Sequence, residues 1–287
     1  MTAPAVGPTL SGSARAAELR AEVTERAAAS TERGVTPRLA VVVATEDEST
    51  GWYVRSLARA AGKTGVACDT VQLPTDARPA LLRDTLTGLS EDPGVHGIIL
   101  QTPLPPGSVA ADLAGAIAPE KDVDGANPLS LGRLVAGLPA FAPATAEAVM
   151  QLLDAHAVPL SGRTVAVVGR STVVGKPLAH LLLDRDATVT VCHSRTAELA
   201  SVTRRMDVVV AAAGRPGLIT AEHVRDGAVV VDVGTNATED GALVGDVAAE
   251  EVGRKAALSP VPGGVGPITT ALLLRHTVSA AAVASGH

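Results

Sequence analysis

Hydrophobic residues follow two alternating patterns along this chain, and together they predict an α/β protein. Unbroken runs of Val, Ile, Leu and Ala predict strands of a parallel sheet, because helices cover both faces of such strands. The predicted strands lie at 38–44, 69–73, 96–100, 164–169, 187–192, 207–213 and 227–234. Amphipathic stretches predict helices near 11–30, 51–63, 77–90, 145–156, 174–184, 196–205 and 268–285. The strand–helix–strand alternation favours a doubly wound architecture.

A span rich in proline and glycine interrupts this pattern in the middle of the chain. Residues 101–145 contain QTPLPPGS, PEKDVDGANPLSLGR and LPAFAPAT, whose turn residues break both hydrophobic periods. We therefore predict loops that carry part of a functional site, since binding residues concentrate on loops. We place a domain boundary near residue 145, with an N-terminal α/β domain over 1–145 and a second domain over 146–267.

Composition and charge narrow the class of protein. The 287 residues are 46% hydrophobic and 19% charged, which suits two globular domains around a cleft and excludes a disordered chain. A net charge of −6 provides no basic surface for nucleic acid. The sequence predicts neither a membrane helix nor a secretory signal. Cys68 and Cys192 have no CxxC spacing, and no HExxH pair occurs, so we predict a cytoplasmic protein without a metal site.

The segment TVAVVGRSTVVGKPLAHLLL predicts a buried strand, a tight turn at Gly169 and a helix. A GxGxxG fingerprint would place glycines at 169, 171 and 174, whereas this chain has Ser171, Val174 and then Gly175. The turn still allows backbone N–H groups at the start of the helix to face a pyrophosphate. The alternative is a structural strand–helix turn in a domain that binds no nucleotide.

The end of the following strand distinguishes between two dinucleotides. An NAD-binding domain carries an acidic residue there, which binds the ribose 2′-hydroxyl. Here ATVTVC is followed by His193-Ser194-Arg195, and Arg170 lies in the preceding turn. Guanidinium groups suit a 2′-phosphate, so we predict a Rossmann-like NADP-binding domain over 146–267. The predicted contacts are Gly169, Arg170, Ser171, Ser194, Arg195 and Thr235. The alternative is that Arg170 and Arg195 are solvated surface residues and His193 a polar strand end.

Five motifs resemble the bifunctional methylenetetrahydrofolate dehydrogenase/cyclohydrolases, two-domain folate enzymes of one-carbon metabolism. They are QTPLP at 101–105, KDVDG at 121–125, VVGRSTVVGKP, ATVTVCHSRT and PVPGGVGPITT at 260–270, and they occur in family order. The resemblance implies NADP-dependent oxidation of 5,10-methylenetetrahydrofolate to 5,10-methenyltetrahydrofolate. It also implies a homodimer, and a last helix, 268–287, that returns to the folate-binding domain.

The same resemblance assigns roles at the folate site. It implies that Tyr53 packs on the folate ring, that Gln101 polarises the one-carbon site and that Asp124 accepts hydrogen bonds from the pterin. Asp122 competes with Asp124 for this role, because one of the two is expected to be a turn-forming residue. Gln101 has an alternative as a cap for the strand 96–100. The predicted substrate-binding turn contains Gly263, Gly264 and Pro267, with a purely structural Gly-Pro turn as the alternative.

One position departs from the family in a way that affects chemistry. The family helix begins SxxYVxxK, and its lysine handles protons in the cyclohydrolase step, whereas this chain has Leu57 at that position. Lys63 lies about 120° around the helix, and Arg59 stays protonated, so neither replaces the lysine. We predict a dehydrogenase whose cyclohydrolase activity is lost or weak. The alternatives are a fully bifunctional enzyme, a catalytically quiet folate- and NADP-binding homologue with a regulatory or specialised role, and a dehydrogenase resembling shikimate dehydrogenase.

Overall fold

The computed structural model describes residues 7–238 and 241–286, which form two compact units. We call residues 17–144 and 270–286 the first unit, and residues 7–16 and 145–269 the second unit. None of the described helices is long and apolar enough to cross a membrane.

The first unit is built on a three-stranded parallel sheet in the order β2-β1-β3. The strands are β1 Arg38–Val43, β2 Ala67–Gln72 and β3 Gly97–Leu100, and the main helices are α1 Ser13–Glu32, α2 Glu48–Lys63 and α3 Pro79–Glu91. Leu82 and Leu86 of α3 are fully buried and join a core with Val42 and Ile98 of the sheet. The active edge of such a sheet is its carboxyl edge, where α2 begins after β1 and Gln101 follows β3.

Residues 101–145, predicted as loops, form three short helical segments. These are α4 Ala110–Ala114, a 3₁₀ turn Pro119–Lys121 and α5 Pro128–Val135. Asn127 begins α5, because its Oδ1 accepts the N–H of Leu129 at 2.8 Å and Pro128 provides a preset φ angle. The segments are too short to show a helical period, so the sequence pattern missed them.

The second unit contains a five-stranded parallel sheet in the order β5-β4-β6-β7-β10. Its strands are β4 Thr164–Val168, β5 Thr188–Cys192, β6 Val208–Ala211, β7 Val229–Asp232 and β10 Ala257–Leu258, and a separate hairpin pairs β8 Asn236–Ala237 with β9 Leu243–Val244. The helices are α6 Ala144–Ala155, α7 Gly175–Leu183, α8 Leu199–Thr203, α9 Ala249–Val252 and α10 Val265–Ala284, the last of which continues into the first unit. The predicted α/β class with parallel sheets is confirmed.

The strand order of this second sheet indicates where a ligand-binding crevice is expected. From β4 the chain passes to β5 on one side, and β6 then pairs with β4 on the other side. In doubly wound sheets ligands bind beyond the carboxyl ends of the two strands that flank such a reversal. The crevice therefore lies where Gly169 follows β4 and Ala212 follows β6.

Residues 7–16, which the sequence analysis places in the N-terminal domain, group with the second unit. The N–H of Leu10 donates to the carbonyl of Leu258 at 2.9 Å, and the N–H of Gly12 donates to Gly263 at 2.9 Å. A Cβ atom on Gly12 would lie 2.0 Å from the carbonyl oxygen of Gly264. This segment groups there because long-range backbone pairing holds it, which no local pattern reveals.

Candidate functional site

Two glycines shape the turn at the crevice of the second unit. Gly169 has a φ of +141°, and a Cβ atom there would lie 2.1 Å from the carbonyl oxygen of Ala212. Gly175 begins α7, and its Cβ would lie 2.1 Å from the carbonyl oxygen of Gly169. Only glycine fits these two positions, which lets the ends of β4 and β6 and the start of α7 approach one another closely.

Ser171 takes a structural role at the position where the standard fingerprint has its second glycine. Its Oγ accepts the N–H groups of Val174 at 3.1 Å and of Gly175 at 3.4 Å, which caps the start of α7. Arg170, immediately before it, is exposed. The turn therefore combines a capped helix start with a cation next to the crevice.

The turn after β5 presents donors and no acid. The Oγ1 of Thr196 accepts the N–H of His193 at 2.8 Å, and the Nδ1 of His193 accepts the N–H of Arg195 at 3.2 Å. Ser194 and Arg195 are both exposed. The guanidinium of Arg195 forms no ion pair with a carboxylate of the described residues. A hydroxyl and a guanidinium at this place fit a 2′-phosphate, and no carboxylate is present to bind a 2′-hydroxyl.

Two buried carboxylates, which the sequence analysis missed, organise the loops after β6 and β7. Asp246 accepts three successive backbone N–H groups at 2.6–2.8 Å, from Ala213, Gly214 and Arg215. Asp232 accepts the N–H of Asp246 at 2.9 Å, and burial raises the pKa of Asp232 while the backbone N–H groups of Asp246, Val247 and Gly234 oppose the shift. In the sequence, the aspartate that ends the apolar run VVVD, Asp232, could have indicated a buried carboxylate here.

Thr235 lies in the segment that passes over this network. A Cβ atom on Gly234 would lie 2.4 Å from the backbone nitrogen of Asp246, so the chain approaches the network closely just before Thr235. Thr235 itself is exposed beyond the end of β7. Its contact with the cofactor stays a prediction.

The backbone geometry of the second unit explains why PGGVGP contains glycines. Gly263 has a φ of +109°, and a Cβ atom on Gly264 would lie 2.7 Å from the carbonyl oxygen of Pro260. Pro267 lies in the first turn of α10, where a missing N–H leaves no hydrogen bond unmade. The structural alternative for this turn therefore has direct support, and substrate binding by Gly263, Gly264 and Pro267 stays a prediction.

Helix α2 positions the candidate residues Tyr53 and Leu57 of the first unit. Asp47 caps it, because its Oδ2 accepts the N–H of Thr50 at 2.8 Å. The buried face carries Thr50, Val54, Leu57 and Ala61, none of which ionises, and Leu57 is only 1% exposed. Burial and then the charge of Asp124 raise the pKa of the Tyr53 hydroxyl.

Gln101 directly follows β3 and makes local contacts there. Its backbone N–H donates to the carbonyl of Val42 at 2.9 Å, and its Nε2 donates to the carbonyl of Thr102 at 2.9 Å. These contacts match the alternative in which the amide caps the strand end. A role of Gln101 at the one-carbon centre stays a prediction.

The two aspartates of KDVDG occupy different environments. Asp122 is fully buried, and its carboxylate accepts the N–H groups of Ala126 and Asn127, both at 2.9 Å. Burial raises the pKa of Asp124 to about 7, the charge of Asp122 adds to this shift, and His276 and the N–H of Ala144 oppose it. Asp122 is therefore the turn-forming residue, and this leaves Asp124 as the better candidate for a ligand.

A buried histidine, which the sequence analysis did not single out, faces the same turn. The Nδ1 of His276 in α10 lies 2.8 Å from the carbonyl oxygen of Val123, between the two aspartates. Its ring stacks on Phe141 with centroids 4.8 Å apart. In the sequence, a histidine within the largely apolar predicted helix 268–285 could have drawn attention to this position.

Comparison with known proteins places both units in one family. The family model for the tetrahydrofolate dehydrogenase/cyclohydrolase catalytic domain matches residues 10–124, and the model for the corresponding NAD(P)-binding domain matches residues 143–285. The chain is 66% identical to bifunctional protein FolD 1 of Saccharopolyspora erythraea over 274 residues, which are 95% of this chain and 94% of that protein.

Two solved structures are similar over nearly the whole chain. The bifunctional FolD of Campylobacter jejuni is 38% identical with a TM-score of 0.91, over 95% of this chain and 98% of that one. The FolD of Trypanosoma brucei, complexed with NADP cofactor and an inhibitor, is 36% identical with a TM-score of 0.93, over 99% and 100%. The resemblance inferred from the five motifs is confirmed, and the chain belongs to the tetrahydrofolate dehydrogenase/cyclohydrolase family.

Proposed function

We propose that this chain is an NADP-dependent methylenetetrahydrofolate dehydrogenase whose cyclohydrolase activity is lost or weak. It oxidises 5,10-methylenetetrahydrofolate to 5,10-methenyltetrahydrofolate in one-carbon metabolism. Family membership and the NADP complex of the trypanosomal relative support the oxidation. The single observation that carries the second part is Leu57, which occupies the position of the family's lysine and is buried on a face of α2 without ionisable groups.

The second unit supplies the residues that would hold NADP. The turn at Gly169 and the start of α7 suit the pyrophosphate, because Gly169 has no side chain in the way and the helix end carries partial positive charge. Arg170, Ser194 and Arg195 suit the 2′-phosphate, and Thr235 is the remaining proposed contact. When bound, the nicotinamide accepts a hydride from the substrate.

The first unit supplies the residues that would orient the folate. The Tyr53 ring offers an aromatic surface for the pterin, and the Asp124 carboxylate accepts hydrogen bonds from its amino and ring N–H groups. The backbone of Gly263 and Gly264, followed by Pro267, is the proposed substrate-binding turn of the second unit. Gln101 orients the one-carbon group or a water molecule.

The two activities of the family make different demands on these residues. Hydride removal is assisted by the neighbouring nitrogen atoms of the substrate, so the protein mainly has to hold the reactants at attack distance. Hydrolysis of the methenyl cation adds water and moves protons between that water and a ring nitrogen, which requires a group that titrates near the working pH. Leucine can neither donate nor accept a proton, and the amide of Gln101 does not titrate in this range.

The other possibilities make distinct predictions. A fully bifunctional enzyme would use water and Gln101 in place of the lysine, and a quiet homologue would bind folate and NADP without turnover. Family membership sets aside a protein of the shikimate dehydrogenase type. The homodimer and the cytoplasmic location stay predictions.

The proposal is tested by following NADPH and the methenyl product together, after purified protein is mixed with 5,10-methylenetetrahydrofolate and NADP. We expect both to accumulate in equal amounts, with the methenyl compound decaying no faster than in buffer. NADPH formation without methenyl accumulation would mean that the cyclohydrolase survives. Binding of both ligands without any NADPH would mean that the protein is a quiet homologue.

Replacing Arg195→Ala is expected to raise the KM for NADP by about tenfold or more and to leave the KM for NAD nearly unchanged. The reason is the loss of a charge-assisted contact to the 2′-phosphate, which is worth about 1.5–3 kcal/mol. Steady-state kinetics with each cofactor measures the effect. Arg205→Ala, at another exposed arginine of the second unit, is the matched control. An equal change for NADP and NAD would remove Arg195 from the phosphate site.

A further inference from the structure

The side chain of Asp246 accepts hydrogen bonds from two different loops of the second unit. It is fully buried, and its Oδ2 accepts the backbone N–H groups of Ala213 at 2.6 Å and of Gly214 at 2.8 Å. Its Oδ1 accepts the N–H of Arg215 at 2.8 Å and the side-chain amide of Asn236 at 3.0 Å. A carboxylate suits this place because both of its oxygens accept and neither donates. The side chain therefore joins the loop after β6 to the segment after β7.

Asp232, the last residue of β7, fixes the backbone position of Asp246. Its Oδ1 accepts the N–H of Asp246 at 2.9 Å, and its Oδ2 accepts the N–H of Val247 at 3.0 Å. A Cβ atom on Gly245 would lie 1.8 Å from Oδ2 of Asp232, so only glycine lets these two segments approach. The N–H of Ile219 also donates to the carbonyl of Asp246 at 2.9 Å. Asp246 is thus held by β7 and by Ile219, independently of the loop that it binds.

The loop that Asp246 binds lies at the crevice of the second unit. Residues 213–215 follow β6, one of the two strands that flank the reversal of strand order, where ligands of doubly wound sheets bind. All three residues are exposed, although their N–H groups turn inward to a buried carboxylate. Thr235, a proposed NADP contact, directly precedes Asn236. A loop whose inner side is fixed and whose outer side is free can hold a ligand in one position.

We propose that Asp246 is a positioning residue of the NADP site: its carboxylate holds residues 213–215 and Asn236 in the arrangement that binds the cofactor. The inference rests on the proposed function, because the NADP contacts are proposed there. β5 and β6 lie on opposite sides of β4, so this loop is separate from Arg195, which follows β5 and is assigned to the 2′-phosphate. The effect of Asp246 should therefore concern the part of the cofactor that NADP and NAD share.

Asp246→Asn keeps the shape of the side chain and replaces one accepting oxygen by a donating NH₂ group. Each oxygen of Asp246 faces two donors, so two N–H groups lose their acceptor in either orientation of the amide. We expect the KM for NADP and the KM for NAD each to rise about tenfold, and the KM for 5,10-methylenetetrahydrofolate to stay within about twofold of the wild type. Steady-state kinetics with each cofactor, on protein shown by circular dichroism to be folded, measures these changes.

Asp207→Asn is the matched control, because Asp207 makes the same kind of contact at the opposite edge of the same sheet. It precedes β6, and its Oδ2 accepts the N–H of Thr164 at 2.8 Å and the hydroxyl of Thr164 at 2.9 Å. Both variants are expected to unfold at a lower urea concentration, but only Asp246→Asn should weaken cofactor binding. Wild-type KM values in folded Asp246→Asn, a rise for NADP alone, or an equal rise in Asp207→Asn would overturn the proposal.

A second variant decides the question if Asp246→Asn does not fold. Asn236→Ala removes one donor from a half-buried position and leaves the three backbone contacts of Asp246 in place. Its KM for each cofactor is expected to rise about threefold, because only one of the two joined segments is released. Unchanged KM values would contradict the positioning role.

Calorimetric titration with NADP alone separates this inference from the proposed function. If wild-type protein binds NADP but forms no NADPH, the proposed oxidation fails, and the inference is decided by the Kd values. Binding that is about tenfold weaker in Asp246→Asn than in the wild type would support the positioning role, and equal binding would contradict it. A wild-type protein that binds neither NADP nor NAD would overturn the inference as well.

Discussion

Leu57→Lys is expected to raise the hydrolysis of 5,10-methenyltetrahydrofolate at least about a hundredfold over the wild-type protein, within the range that general acid–base catalysis supplies. Position 57 lies on the buried face of α2, four residues after Tyr53, and is 1% exposed. A lysine there loses hydration, which lowers the pKa of its ammonium group toward neutrality. Such an amine can both donate and accept a proton at the working pH.

The control for this gain is Leu57→Met, which has a similar volume and no titratable group. Spectroscopic decay of the methenyl compound should be faster with lysine and unchanged with methionine. The lysine variant should also lose about 1–3 kcal/mol of unfolding free energy, because it buries a polar group among apolar ones. Equal decay rates in both variants would show that more than Leu57 separates this chain from a cyclohydrolase.

Asp124→Asn is expected to lower activity and raise stability at once. The dehydrogenase kcat/KM should fall about a hundredfold, because two hydrogen bonds from the pterin to a charged acceptor are weakened. Without ligand, the asparagine variant should be more stable than the wild type at alkaline pH. The substitution removes a carboxylate whose charged form is disfavoured by burial and by the charge of Asp122.

The pH dependence gives this prediction its sign. Burial raises the pKa of Asp124 to about 7 from an ordinary value of 3.8. At a pH between these two values, the folded protein therefore keeps a proton that the unfolded chain has lost. Wild-type stability therefore falls as the pH rises through this window and stays reduced above it. In urea unfolding, the free energy of unfolding of the asparagine variant should exceed that of the wild type by about 1 kcal/mol near pH 5 and by about 3 kcal/mol near pH 8.

Asp122→Asn is the matched control, one residue before Val123 in the same turn. It should destabilise the protein, because the Asp122 carboxylate accepts two backbone N–H groups and an amide can accept with only one oxygen. If Asp124→Asn is also less stable than wild type near pH 8, Asp124 has a structural role in place of the proposed one.

Short-range features made most of the fold accessible from the sequence. Continuous apolar runs marked the central strands of both sheets, because a strand covered on two faces is apolar at nearly every position, whereas the edge strands β2 and β5 include polar residues and are only partly buried. The turn after β4 was equally readable, since close backbone approach at Gly169 and Gly175 excludes any side chain. The predicted departure at Leu57 rests on a motif that sets its place along one helix.

The sequence by itself thus determined the α/β class, the parallel strands, the glycine turn after β4 and the family. Only the tertiary structure decided which aspartate of KDVDG forms the turn, that His276 faces it from 153 residues away along the chain, and that Asp246 holds a loop more than thirty residues earlier. The physical reason is that burial and long-range hydrogen bonds, which set the charge and orientation of these groups, arise only when distant segments pack together.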